Sequence, residues 1–170
     1  MARSVQVPAL DETPEDLRRE ATAVLEEDPL RAYYRARELA RLQPADPGAA
    51  ELLARAQGAL ALPEGVPGVA LADAQKLTEA GELDGAWKVL HTLLRQQPDD
   101  PALKARLGRL CLAFAEAHAV KERWEEAQDA LKMGRALFPG DKAWQARLRF
   151  LDHLRAMGPV DRRAWVQALG

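Results

Sequence analysis

The sequence of 170 residues has a single cysteine, Cys111, which excludes a disulfide framework or a cysteine-based zinc site within the chain. Isoleucine and asparagine are absent, and aromatic residues make up only 5% of the chain. No apolar run approaches the roughly 20 residues that a membrane-spanning helix needs, and the first residues lack a long apolar signal segment. These absences predict a cytoplasmic protein that does not enter a membrane.

The chain also lacks a large excess of positive or negative charge, since its formal net charge is −2. A balanced chain has no global electrostatic footprint for nucleic acid. The segment 31–41 predicts a basic helix, but Glu38 and the acidic segment before it dilute that charge. Acidic residues concentrate in 11–28 and basic residues in 142–163. These ends either recruit different partners or attract each other head to tail in a weak homo-oligomer.

The residues that are abundant, Ala, Leu, Arg and Glu, favour helix over strand. Thr13-Pro14 and the pairs Asp28-Pro29, Asp46-Pro47 and Asp100-Pro101 are typical helix starts: a capping side chain followed by a proline whose missing N–H costs nothing. No segment shows sustained alternation of apolar and polar residues with β-branched side chains, so no sheet is predicted.

A spacing of four and then eight residues recurs three times along the chain. It joins Ala32, Ala36 and Pro44, then Ala86, Leu90 and Pro98, and then Ala127, Leu131 and Pro139. The small first residue allows two helices to approach closely, the second residue fills the groove between them, and the proline ends the helix. The spacing therefore predicts helix pairs.

This spacing resembles the second half of the tetratricopeptide repeat pattern, W-x2-L-G-x2-Y, then A-x3-F, then P. The first half is matched best at Leu107-Gly108, with Cys111 in the tyrosine position, and Gly81 matches the turn glycine. The resemblance implies an all-α fold, an α-solenoid of antiparallel helix-turn-helix repeats with a C-terminal capping helix.

The intervals between the prolines that end the recurring spacings are longer than the 34-residue period of that family. The interval from Pro98 to Pro139 has seven extra residues, or two helical turns, which predicts a long helix from Pro101 to about Val120. The longer interval from Pro44 to Pro98 predicts a helix from Pro47 to about Ala61 without a hairpin partner, followed by a Pro/Gly-rich hinge.

The chain is therefore predicted to have five parts. They are a flexible N-terminus at 1–12, N-terminal repeat helices at 13–62, the hinge at 63–69, repeats and capping helix at 70–158, and a short helix at 159–170.

One part of this organisation has two interpretations. Apolar residues recur every seven positions from Leu110 to Phe138, and no glycine or proline lies between Gly108 and Gly134, so 101–138 can form one long helix. The stretch RWEEAQDAL is typical of the second helix of a repeat and favours a hairpin.

Residues typical of catalysis or metal binding do not assemble into a site. Cys111 and His118 lie about 10 Å apart along a helix, too far for direct proton transfer. His118 and Glu122 have helical ligand spacing, but no third ligand accompanies them. The stretch PEGVPG lacks a phosphate-loop pattern. We expect a protein without catalytic residues, metal or cofactor.

The resemblance implies that the concave face, lined by the first helices of the repeats, binds a peptide or helix of a partner protein. The family register places six residues on or near it: Gln75, Thr78, Glu79, Arg106, Arg109 and Arg147. The arginines suit a carboxylate, hence an acidic partner, but the absence of asparagine argues against the family's clamp for acidic C-terminal chaperone tails. Trp144 and Trp165 are candidate aromatic contacts, with packing against the core as the alternative.

The function predicted from these residues is a non-catalytic adaptor or scaffold for protein–protein interaction. Two alternatives use the same fold. One is a small chaperone that holds an unfolded or secreted client on the concave face, and the other is a self-assembling structural subunit.

Overall fold

The computed structural model describes residues 12–65 and 68–157, which contain eight α-helices and no strand. The helices are α1 Pro14–Val24, α2 Pro29–Leu42, α3 Pro47–Ala59, α4 Leu71–Glu79, α5 Leu83–Gln96, α6 Pro101–Val120, α7 Trp124–Leu137 and α8 Lys142–Met157. The predicted all-α fold of helix pairs is confirmed. Several predictions concern residues outside the described ranges: the N-terminus up to residue 11, part of the hinge at 66–67, the last residue of the part 70–158, the short helix 159–170 and Trp165.

Four helices begin at the predicted Asp-Pro and Thr-Pro signals. Thr13 and Asp16 form a reciprocal capping box, in which the Asp16 N–H donates to Thr13 Oγ1 at 3.2 Å. Asp28, Asp46 and Asp100 each accept one or two backbone N–H groups of the helix that follows. Each start is therefore determined locally, by a side-chain acceptor for otherwise unpaired amides.

The segment 101–138 forms a hairpin rather than one long helix, as the stretch RWEEAQDAL predicted. Its first helix, α6, has 20 residues and ends at Val120, also as predicted. Residues 121–123 then turn the chain, and α7 packs back against α6.

The α4–α5 and α6–α7 turns differ at the residue that takes the left-handed backbone conformation. Gly81 has φ +76° in the first turn, and Glu122 has φ +58° in the second. The residue after each donates its N–H to the carbonyl five positions earlier, at 2.8 Å after Gly81 and 2.9 Å after Glu122. Since a Cβ atom disfavours this conformation, Gly81 adopts it at a lower cost than Glu122 does.

Replacing Glu122 with glycine is therefore expected to raise the free energy of unfolding by about 1 kcal/mol. Replacing Gly81 with alanine should lower it by about the same amount. No atom lies within 4 Å of the added Cβ at Gly81, so that effect is conformational rather than steric. Urea denaturation followed by circular dichroism measures both changes. A Glu122→Gly variant less stable than the wild type would contradict this account.

Consecutive helices pack against each other in two groups, α1 to α3 and α4 to α8. The small residues of the recurring spacing are fully buried at these crossings: Ala86 and Ala127 are both 0% exposed. α3 packs on α2 and α1 but makes no substantial contact with α4 among the described residues. The regular succession of neighbours is thus interrupted between α3 and α4.

The two groups contact each other mainly through α2, which packs against α5 and α7. Tyr34 Oη donates to the carbonyl of Pro98 at 2.7 Å, and His91 Nε2 lies 2.7 Å from Asp28 Oδ1. Burial would raise the pKa of the Asp28 carboxyl, but the hydrogen bond and charge of His91 outweigh it and hold that pKa below its usual value. These polar contacts join the start and middle of α2 to α5 and to the turn after it.

Arg95 of α5 supports the end of α3. Its guanidinium donates to the carbonyls of Ala59, Leu60 and Ala61, at 2.8 to 3.0 Å. A helix C-terminus leaves such carbonyls without internal partners and carries partial negative charge, so an arginine suits both needs. This contact links α5 to the end of α3 directly.

Candidate protein-binding site

A groove with a cavity of about 420 Å³ separates α4 from α6. Side chains of α4 form one wall, side chains of α6 form the other, and Leu90 of α5 lies at the base. The residues that line it are Ala74, Gln75, Thr78, Glu79, Leu90, Arg106, Arg109, Leu110 and Ala113. Five of the six residues that sequence analysis placed on or near the concave face line this one groove.

The α4 wall is polar and internally hydrogen-bonded. Gln75 Nε2 donates to Glu79 Oε1 at 3.0 Å, one helical turn away. Thr78 Oγ1 donates to the carbonyl of Ala74 at 2.8 Å. Both side chains are exposed, so a ligand gains access to their remaining donors and acceptors without breaking the helix.

The α6 wall carries two cations. Arg106 is half-buried and Arg109 is exposed, and neither forms an ion pair within the described part of the chain. They stand three residues apart on one face of α6, next to the buried side chain of Leu110. An arginine in this position offers several N–H donors to a carboxylate and an aliphatic stem to an apolar neighbour.

Arg147, the sixth predicted residue, does not line the groove. Its guanidinium carbon lies 4.8 Å from the centre of the Trp144 ring, a cation–π arrangement within α8. Trp144 itself is only 4% exposed. It is therefore not an exposed aromatic contact, and the alternative of core packing is the correct one for this residue.

Residues 77–151 match the family model of the tetratricopeptide repeat. This segment is similar to a tetratricopeptide repeat region. It runs from α4 into α8 and includes all of α5, α6 and α7, which covers most of the groove. Repeats of this family generally mediate protein–protein interactions. No similar curated protein and no similar solved structure was found.

A cluster of five charged side chains lies where α1 and α2 meet α7 of the repeat region. Glu20 Oε1 accepts from Arg31 Nε at 2.7 Å, and Glu20 Oε2 accepts from Arg135 Nη2 at 3.0 Å. Arg35 Nε lies 3.1 Å from Glu20 Oε2, and Glu12 pairs with both Arg35 and Arg135. Three guanidinium groups therefore share two carboxylates, in a nearly enclosed position.

Arg35 is the most buried member of this charged cluster, at 0% exposure. Burial, and then the charge of Arg135, lower the pKa of the Arg35 guanidinium to about 9, which still leaves it charged at neutral pH. Its Nη1 makes no hydrogen bond with the described residues. This cluster was not predicted from the sequence, although α2 carries apolar residues on every face, which indicates that some of its arginines must be enclosed.

The basic helix predicted at 31–41 is thus not a free basic surface. Arg31 and Arg35 belong to the charged cluster, Arg37 pairs with Asp99, and Arg41 pairs with Glu38. Each positive charge has a carboxylate beside it, which removes the uncompensated charge that phosphate binding requires.

The thiol and imidazole considered for chemistry are not arranged for it. Cys111 is fully buried, and burial, followed by the nearby charge of Asp28, raises the pKa of its thiol well above the usual value. The protonated thiol is not a nucleophile.

Within residues 12–65 and 68–157, no group of three or more His, Cys, Asp and Glu side chains is placed to hold a metal ion. No helix of this part is long and apolar enough to cross a membrane.

Proposed function

We propose that the protein is a non-catalytic adaptor whose α4–α6 groove binds an extended or helical segment of a partner protein that carries at least one carboxylate. The single observation that supports this most is the convergence of five predicted residues on one groove, with Arg106 and Arg109 free of ion pairs among the described residues.

The chemistry of the two walls supports an acidic ligand. Arg106 and Arg109 supply charge-assisted hydrogen bonds, which are worth roughly 1.5–3 kcal/mol each when a carboxylate accepts them. The single acidic side chain of the groove, Glu79, stands on the other wall and already accepts from Gln75. The base of the groove is apolar, so a hydrophobic residue beside the acidic one finds a contact at Leu90 or Leu110.

Selection from a random peptide library displayed on phage tests this proposal without a known partner. Peptides retained by the immobilised protein are expected to be enriched in Asp and Glu next to apolar residues. Fluorescence anisotropy of selected peptides should then show at least about tenfold weaker binding to the Arg106→Gln/Arg109→Gln variant, since about 1.4 kcal/mol corresponds to tenfold in affinity.

A matched control keeps the same net charge. Arg55 of α3 and Arg149 of α8 are exposed and stand outside the groove, so the Arg55→Gln/Arg149→Gln variant should bind as the wild type does. Equal losses in both double variants, or selected peptides without acidic residues, would overturn the proposed groove specificity.

A further inference from the structure

A second cleft, with a volume of about 620 Å³, opens on another face of α6. α5 and α7 flank it, the start of α2 closes one end at Asp28 and Arg31, and Phe114 and His118 of α6 lie between the flanking helices. The groove in which α2 packs against α5 and α7 thus continues beyond the first residues of α2, and no described side chain fills it.

Three aromatic rings line this cleft. Trp87 meets Phe114 edge to face, with ring centres 5.0 Å apart and planes at 70°. Phe114 stacks on His118 at 5.4 Å with planes at 25°. All three residues are half-buried, so the cluster presents ring surface to the cleft, and such surface attracts cations.

Carboxylates outnumber cations around these rings. The acidic residues that line the cleft are Glu27, Asp28, Asp84, Glu126 and Asp129, against Arg31 and Lys88, an excess of three negative charges with neutral histidine. Arg31 is already bound by Glu20 at 2.7 Å. Asp84 and Glu126 form no ion pair with any described residue, and Asp129 reaches only Arg31, at 3.6 Å.

We propose that this cleft binds an arginine side chain presented by a basic segment of a partner protein. The planar guanidinium stacks on an aromatic ring and donates to carboxylates at the same time. Trp87 and Phe114 supply the rings, and Asp84 and Asp129 flank them from α5 and α7. An acidic segment, as proposed for the α4–α6 groove, is repelled here, so the two sites select ligands of opposite charge.

Nuclear magnetic resonance titration with a blocked peptide, two arginines among glycines and serines, tests this inference. We expect saturable shifts of the Trp87 indole N–H and of the Phe114 and His118 ring signals. The Asp84→Asn/Asp129→Asn variant should bind about tenfold more weakly, and citrulline in place of arginine should abolish saturation, because citrulline keeps the shape and loses the charge.

The control variant Glu51→Gln/Asp152→Asn removes two exposed carboxylates that do not line the cleft and should bind the arginine peptide as the wild type does. Saturable binding of the citrulline peptide, equal weakening in both variants, or shifts without saturation spread over the surface would each overturn the proposal. The Arg106→Gln/Arg109→Gln variant should keep this affinity, so failure at one site is distinguishable from failure at the other.

Discussion

Replacing Glu20 with glutamine is expected to lower the free energy of unfolding by about 3 kcal/mol, the low end of the cost of breaking a buried ion pair. Glu20 contacts Arg31, Arg35 and Arg135, and its side chain is 11% exposed. With glutamine in its place, Arg35 and Arg135 share the carboxylate of Glu12, and Arg31 keeps only the more distant Asp129, at 3.6 Å. The cluster therefore gains one uncompensated positive charge at a position that water screens poorly.

Denaturation with guanidinium at neutral pH measures this change. Glu26, an exposed glutamate just after α1 that forms no ion pair with described residues, provides the control: its replacement by glutamine should alter stability by less than about 0.5 kcal/mol. A loss below about 1 kcal/mol for Glu20→Gln would show that the charged cluster is better solvated than its burial indicates.

A second substitution tests the physical cause. Arg35→Met in the Glu20→Gln background removes one buried positive charge from the cluster and keeps an apolar stem of similar length. If excess buried charge causes the loss of stability in Glu20→Gln, the double variant should lose less unfolding free energy than the sum of the losses in the two single variants. Additive losses would indicate instead that packing around Arg35 dominates.

Replacing Gly134 with alanine is expected to lower the free energy of unfolding by about 2–3 kcal/mol. A Cβ atom at this position would lie 2.1 Å from Cζ3 of Trp144, well inside contact distance. Trp144 has little room to retreat, since its ring stacks on Phe138 at 6.3 Å and also faces Gly108. The added methyl group therefore forces α7 and the capping helix α8 apart.

Gly58 of α3 is the matched control for Gly134. It is also a helical glycine, but a Cβ there meets nothing within 4 Å. Alanine at Gly58 should raise stability by about 0.5–1 kcal/mol, because alanine has the higher helix propensity and restricts the unfolded chain. The same substitution is thus expected to change stability in opposite directions at the two sites, and urea denaturation followed by circular dichroism measures both changes. Equal or higher stability of Gly134→Ala would contradict the close approach.

The elements that sequence analysis predicted well depend on residues near one another in the chain. The capping aspartates and following prolines mark four helix starts, and Gly81 marks a turn, because hydrogen bonds and dihedral preferences act over three or four residues. The family register also placed five residues on one groove, since helices of constant pitch repeat their faces regularly. Arg147, which the register also placed near the concave face, does not line this groove, because its guanidinium lies over the ring of Trp144, one turn earlier.

Contacts between residues far apart in the sequence were decided only by the tertiary structure. Nothing near Arg35 in the chain indicates that Glu12, Glu20 and Arg135 surround it, and the same holds for Trp87 beside Phe114 and His118. Gly134 is an ordinary helical glycine until Trp144 fills the space above it. The sequence by itself determined the helices and their hairpins, and the groove between α4 and α6 was seen only in the structure. Only packing determined that α2 lies against α5 and α7, because that choice depends on which buried surfaces and charges fit together across the whole chain.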